Sequence, residues 1–361
     1  MQINKKRLVN EFIKLVKIDS ESGEGQEIIR YLKKELEKLN FKTYIDKVGN
    51  LIARNSENPK LILSAHTDTV KPGKNIKPII TKSGVIKTDG STILAADDKS
   101  GIAVILEILQ ILNENKSNIG IEIVFTISEE VGLIGSSQLD FKNLRAKKGI
   151  NVDCDDPGVI DVGEPSIMQF NISIKGKAAH AGMAPEEGIS TIQIASDAIS
   201  KLKWGRIDKE TTANVGVIKG GEARNIIAEE VYIEAEIRSR NQKKFINYYK
   251  KLEEQFAKST KKYHGKIDIK KVQRSTAYVL KNNEVVGLLI KACKKNKQKH
   301  KLVLSGGITD ANSIVKNGVN VVTFSTGARK IHSTSETIAI KDLAKSAQIV
   351  LDSTFVLSEE D

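Results

Sequence analysis

The chain has 361 residues, 28% of them charged and 40% hydrophobic, with 57 Lys and Arg against 45 Asp and Glu. That length and apolar content exclude a disordered segment and point to two globular domains. A net charge of +12 invites a nucleic-acid reading, but aromatics make up only 5% and the lysines are scattered, so a solvated Lys-rich surface is the expectation and no nucleic-acid partner is expected.

In chain order, helical spacing covers residues 4–16 and 24–39. A strand-like segment, 42–54, is broken by Gly49, and 60–65 is a short, continuously apolar strand. Turn signals at 71–73, 83–84 and 89–90 lead to a helix over 100–113, then strands at 121–127 and 149–152. Uninterrupted β-branched runs separated by helices predict a parallel sheet buried on both faces. Near 166 the pattern changes to period-two alternation, at 168–175 and again at 231–238. With helices at 188–202 and 242–259 and further strands at 213–219 and 266–273, this predicts two helices on one face of a four-stranded antiparallel sheet. From about 282 the earlier pattern returns: a helix to 295, strands at 301–304 and 319–324, and a helix from 340. The expected organisation is a mostly parallel, doubly wound α/β domain, 1–165 and 279–361, with an α+β domain inserted at 166–278.

No apolar run reaches the roughly 18–20 residues of a bilayer span, so no membrane partner is expected. Residues 1–17 lack the apolar core of a signal peptide, and two cysteines, Cys154 and Cys293, make no disulfide framework. A cytoplasmic location is the expectation. Cys154 reads as a small buried residue.

Acids and histidines gather at the predicted strand ends. The 60–65 strand runs into His66-Thr67-Asp68, the 121–127 strand into Ser128-Glu129-Glu130, and the 149–152 strand into Asp153. Asp97-Asp98 precedes a helix, and His332 follows the 319–324 strand. In an open α/β sheet the carboxyl ends of parallel strands form the ligand crevice. Singly, each residue reads as a turn, a cap or a solvated side chain; together, carboxylates so crowded would repel one another unless cations neutralise them. Imidazole with carboxylate suits Zn²⁺, with Co²⁺ or Mn²⁺ as substitutes.

The segments His66-Thr-Asp-Thr-Val70, Leu94-Ala-Ala-Asp-Asp-Lys-Ser-Gly101 and Ser128-Glu-Glu-Val-Gly-Leu-Ile-Gly135 resemble the dinuclear-zinc peptidase family of peptidase T, glutamate carboxypeptidase, aminoacylase and succinyl-diaminopimelate desuccinylase. Lys175-Gly-Lys-Ala-Ala-His-Ala-Gly182 and Gly220-Gly-Glu-Ala-Arg-Asn225 resemble motifs of its lid domain. Asp97-Asp-Lys99 and His332-Ser-Thr-Ser-Glu336 resemble the peptidase T-like branch. A second zinc aminopeptidase family carries similar motifs but inserts its smaller domain between the first His and the bridging Asp; here the insertion follows Asp153.

The resemblance implies two divalent ions, one held by His66, Asp97 and Asp153 and the other by Asp97, Glu130 and His332, with Asp97 bridging. It implies Glu129 as general base toward a metal-activated water. Asp68, two residues beyond His66, is placed to orient that imidazole. His180, Asn225 and Arg238 match substrate-binding positions, His180 acting across a homodimer formed through the inserted domain. Arg238 equally fits the solvated face of an alternating strand with Tyr232, Glu234 and Glu236. Ala95 stands where relatives commonly have Gly, and Arg329 where an acid is common. The implied activity is removal of the amino-terminal residue from short peptides. A deacylase of N-acyl amino acids is the alternative enzyme, and a catalytically silent metal-binding or interaction protein the alternative from another class.

Overall fold

The computed structural model describes residues 1–153 and 155–359, with side chains through Val356; Cys154 lies outside the described residues. The chain divides into two compact units, 1–163 with 279–361, and 164–278.

The first unit is built on an eight-stranded mixed sheet, ordered Lys42–Ile45, Leu51–Arg54, Ile121–Thr126, Leu61–His66, Lys148–Asp153, Asn320–Ser325, Val159–Asp161 and Lys301–Val303. Its centre is parallel, as the apolar runs predict. The segment 42–54 is a hairpin rather than one broken strand, Lys42 pairing with Arg54. Alternate residues of Leu61–His66 serve two cores. Leu61, Leu63 and Ala65 pack with the helices Lys5–Val16, Gln26–Lys38 and Ala96–Glu114. Ile62 packs on the opposite face with Leu139, Leu144, Ala311 and Ile314. Helices on both faces leave the strands no wet side, hence their lack of alternation.

Registers align the strand ends. His66 sits opposite Thr126, and Asp153 opposite Ser325, so four parallel strands finish at one edge. A small sheet, ordered Ala328–Arg329, Thr337–Ala339, Val85–Lys87 and Ile79–Ile80, completes the unit. The sequence shows no sign of it, because two- and three-residue strands are too short to carry a period. Among the described residues no helix is long and apolar enough to cross a membrane.

The second unit is a five-stranded antiparallel sheet, ordered Gly205–Arg206, Thr211–Gly220, Glu230–Ser239, Ser166–Lys175 and Lys266–Ser275. The two-residue strand Gly205–Arg206 is the addition to the predicted four. Met168, Phe170, Ile172 and Ile174 face a core built by the helices Thr191–Ser200 and Gln242–Lys262, while Gln169, Asn171 and Ser173 between them point away from that core.

Candidate metal centre

The strand Leu61–His66 delivers a buried His66. Its Nε2 lies 3.0 Å from Asp97 Oδ1 and 4.0 Å from Asp153 Oδ1. His332 Nε2 lies 3.1 Å from Asp97 Oδ2 and 3.0 Å from Glu130 Oε2. The two oxygens of one carboxylate thus face two different histidines. His66, Asp97 and Asp153 form one group able to hold a cation, and Asp97, Glu130 and His332 a second; in each, the donor atoms lie within 4.8 Å of one another. All five predicted metal residues meet here, on one edge of the first unit.

Local backbone explains how. Asp97 and Asp98 sit at the head of the helix Ala96–Glu114 with non-helical φ and ψ, joined by a cis peptide bond, after Ala95 at φ +59°. That left-handed φ is the physical reason a Gly would be at home where this chain has Ala. After Ile121–Thr126, Ser128 also turns left-handed at φ +52°, and the kink separates the neighbouring acids. Glu130 reaches His332, while Glu129 forms a third donor group with His66 and Glu130.

Asp68 sits behind this arrangement, and its geometry differs in one respect from the expected one. His66 Nδ1 is closest to the Asp68 backbone carbonyl, at 3.0 Å, with carboxylate Oδ1 at 3.6 Å. The carboxylate instead accepts the N–H groups of Glu129 at 2.9 Å and Glu130 at 3.3 Å, and the Ser22 hydroxyl at 2.6 Å. A short side chain whose own carbonyl is already turned to the ring is free to brace the next loop.

Electrostatics follow from this crowding. Burial opposes charge on His66, but Asp68 and Asp97 outweigh it and hold the ring well above its ordinary pKa. Asp97 and Glu130 push His332 up to about 10. Burial works to raise Asp97, yet hydrogen bonds with both imidazoles bring it below the usual carboxylate range. Glu129 is pushed well above that range, first by burial and then by Asp310, Asp153 and Glu130, with His66 opposing. The donor set fits divalent ions: nitrogen and carboxylate oxygen are what Zn²⁺, Co²⁺ and Mn²⁺ accept. Glu130 Oε1 is moreover buried with no hydrogen-bond partner among the described residues, an orphan that a cation would satisfy.

The cluster floors a cleft of about 640 Å³ whose walls include Asp155, Asp156, Ser305, Thr309, Arg329 and Lys330. Arg329 is tied to Asp342 at 3.1 Å and Asp156 at 3.6 Å. Two buried acids to which the sequence analysis gives no role also belong to this edge. Asp310 accepts the Thr126 hydroxyl at the end of the central strand, and Glu336 accepts three backbone N–H groups around Asp97. Asp310 follows the Gly306-Gly307 turn and Glu336 stands four residues past His332, which are the signals that mark them.

The remaining predicted residues lie in the second unit. His180 and Asn225 adjoin through backbone: Ala181 N–H donates to Asn225 O at 3.0 Å, and His180 bridges Ile226. His180 is exposed, and its Nδ1 accepts the N–H groups of Gly182 and Met183 at 3.2 and 3.1 Å. A neutral ring so bonded carries its proton on Nε2, which makes that nitrogen a donor. Arg238 Nε donates to Glu236 Oε1 of its own strand at 2.6 Å, on the polar face of the sheet.

The sequence profile of peptidase family M20/M25/M40 matches residues 62–354. The uncharacterised Bacillus subtilis (strain 168) protein YqjE is 38% identical over 363 residues, spanning 97% of this chain and 98% of that protein. Among solved structures, a tripeptidase from Staphylococcus aureus subsp. aureus Mu50 superposes with a TM-score of 0.96 at 36% identity, covering 100% of both chains. An aminopeptidase PepT from Bacillus cereus ATCC 10987 superposes with a TM-score of 0.91 at 38% identity, covering 98% of this chain and 99% of that one.

Proposed function

The chain belongs to peptidase family M20/M25/M40 and is a peptide-hydrolysing metallopeptidase, and from that premise we propose that it removes the amino-terminal residue from short peptides, tripeptides among them, using two divalent ions. The observation that carries the reading is the Asp97 carboxylate, each oxygen within 3.1 Å of a different imidazole. His66, Asp97 and Asp153 would hold one ion, and Asp97, Glu130 and His332 the other, with zinc the best match to the donors.

Ions so placed supply a Lewis acid for the scissile carbonyl and a lowered pKa for the attacking water. The chain's own residues do the rest. Glu129, beside His66 and Glu130 without belonging to either proposed ligand set, would take a proton from the water and pass it to the leaving amine. Asp68 holds the Glu129–Glu130 turn by its N–H groups, so the base and its neighbouring ligand keep their separate aims. His180 Nε2–H is a donor suited to a developing oxyanion. The inserted unit is read as the dimerisation domain, and His180 as working on the partner's substrate. Asn225 and Arg238 are read as contacts to the substrate's carbonyl or carboxylate. A cytoplasmic location accords with two cysteines in the chain.

The test sets a tripeptide panel beside an N-acyl amino acid panel, with metal content measured on the same samples, for the wild type and Glu129→Gln. Tripeptide turnover with two ions per chain is expected, and its near-complete loss in a fully loaded Glu129→Gln. Turnover of N-acyl substrates alone would replace this reading with a deacylase. Full activity in Glu129→Gln would remove the base.

A further inference from the structure

The loop that carries His332 leaves the short strand Ala328–Arg329 and returns in Thr337–Ala339, Ala328 pairing with Ile338 and Arg329 with Thr337. Glu336 stands at the returning foot, 1% exposed, its own N–H donating to Ser333 O at 3.0 Å. Its carboxylate turns to a different segment of the chain. Oε2 accepts the N–H groups of Leu94 and Ala95, both at 2.8 Å, and Oε1 accepts that of Asp97 at 3.0 Å.

The segment held in this way needs an outside acceptor. N–H groups at the head of a helix have no partner in the helix itself. Here the chain enters through a left-handed Ala95 and two non-helical aspartates, which puts these donors still further from any helical ladder. A carboxylate taking three N–H groups satisfies them with charge-assisted bonds. It also ties two loops together, since Glu336 shares one closed loop with His332 and shares a hydrogen bond with the backbone of Asp97.

We propose that Glu336 is a positioning residue that fixes the Asp97 carboxylate relative to His332, and so sets the spacing of the two ions. This rests on the metal reading above. Both oxygens are needed for the task. Glutamine offers one acceptor and turns an NH₂ group against a backbone N–H; aspartate keeps both oxygens but falls one methylene short.

The test is Zn²⁺ titration calorimetry on folded, chelator-stripped wild type, Glu336→Gln and Glu336→Asp, with electron paramagnetic resonance of the same proteins loaded with two Co²⁺ per chain. Glu336→Gln is expected to bind Zn²⁺ about 10–100-fold more weakly at both positions and to lose the magnetic coupling between the two Co²⁺ ions. Glu336→Asp is expected to lose about tenfold. A purely structural role would lower the melting temperature while leaving Zn²⁺ affinity and Co²⁺ coupling as in the wild type, and that result overturns the proposal. Should Glu336→Gln fail to fold, Glu336→Asp, which keeps the charge, decides: wild-type affinity and coupling in it overturn the proposal. Asp97→Ala serves as reference. Two normal Zn²⁺ events there would sink the metal reading itself, whereas a disturbed Asp97→Ala beside a normal Glu336→Gln would sink only the role of Glu336.

Discussion

Asp68 Oδ1 accepts the backbone N–H of Glu129 across 2.9 Å, so the residue that lies behind His66 also sets the aim of the proposed base. Its other oxygen takes the N–H of Glu130 and the Ser22 hydroxyl. Asparagine has one acceptor oxygen where aspartate has two, and its NH₂ must then confront a donor. Asp68→Asn is expected to cut kcat about 10–100-fold, the size usual for a lost partner behind a metal ligand, while the fold survives. Steady-state kinetics with zinc analysis checks this, and an unchanged kcat in the zinc-loaded variant would contradict it.

The bridge and its flank should behave differently. Removing the shared Asp97 carboxylate leaves two cations facing each other without the charge between them, so Asp97→Ala should disturb both binding events. His332→Ala should weaken mainly one. Calorimetric titration of the two stripped variants distinguishes these patterns; two undisturbed events in Asp97→Ala would refute bridging.

A donor to an oxyanion is worth about 10²–10³ in turnover, and His180→Ala should lose that much while keeping its metal. If the ring serves the partner's site, co-refolding His180→Ala with Glu129→Gln restores activity. Random assortment makes half the dimers mixed, each with one complete site, giving about a quarter of wild-type activity. Mixed dimers confirmed by native mass spectrometry but no more active than the separate variants would confine His180 to its own chain or to no role.

Asp161 gives a pH prediction away from the cluster. Burial pushes its carboxyl up to about 6, despite the N–H bond from Gly163 and hydrogen bonding with Ser305. The folded state therefore holds this proton more tightly than the unfolded chain, whose value is about 3.9. The residue's contribution is greatest below pH 4, declines as pH rises toward 6, and is constant above. Asp161→Asn has no such decline, so its stability relative to wild type should rise across that window by up to about 3 kcal/mol. Urea unfolding of both proteins between pH 4 and 7 measures it; a difference independent of pH would rule it out.

What the sequence made legible followed from burial. Leu61, Ile62 and Leu63 are all apolar because both faces of their strand are covered, and Phe170, Ile172 and Ile174 alternate with polar neighbours because one face of theirs is not. His66 and Asp153 could be placed together because parallel strands end at one edge. What stayed hidden is backbone. Glu336 recognises N–H groups, and every residue but proline has one, so its three bonds leave no mark on the letters at 94, 95 and 97. The same blindness covers Asp68, whose partners at Glu129 and Glu130 are also main-chain. Likewise, the helix bounds drew Asp97 outside the predicted 100–113 because a left-handed Ala95 is not a residue type that announces a turn.

The two ends of the cluster are unequally open to solvent. His66 is 2% exposed at its side chain and His332 is 51% exposed. If each imidazole holds one ion, departure should be ordered: a chelator meets the His332 ion first, and the His66 ion leaves only when the buried strand end loosens. A half-depleted preparation would then be one defined species, filled at His66 and vacant at His332, instead of a statistical mixture. Refilling that species with a second metal type would write a mixed pair in a known order.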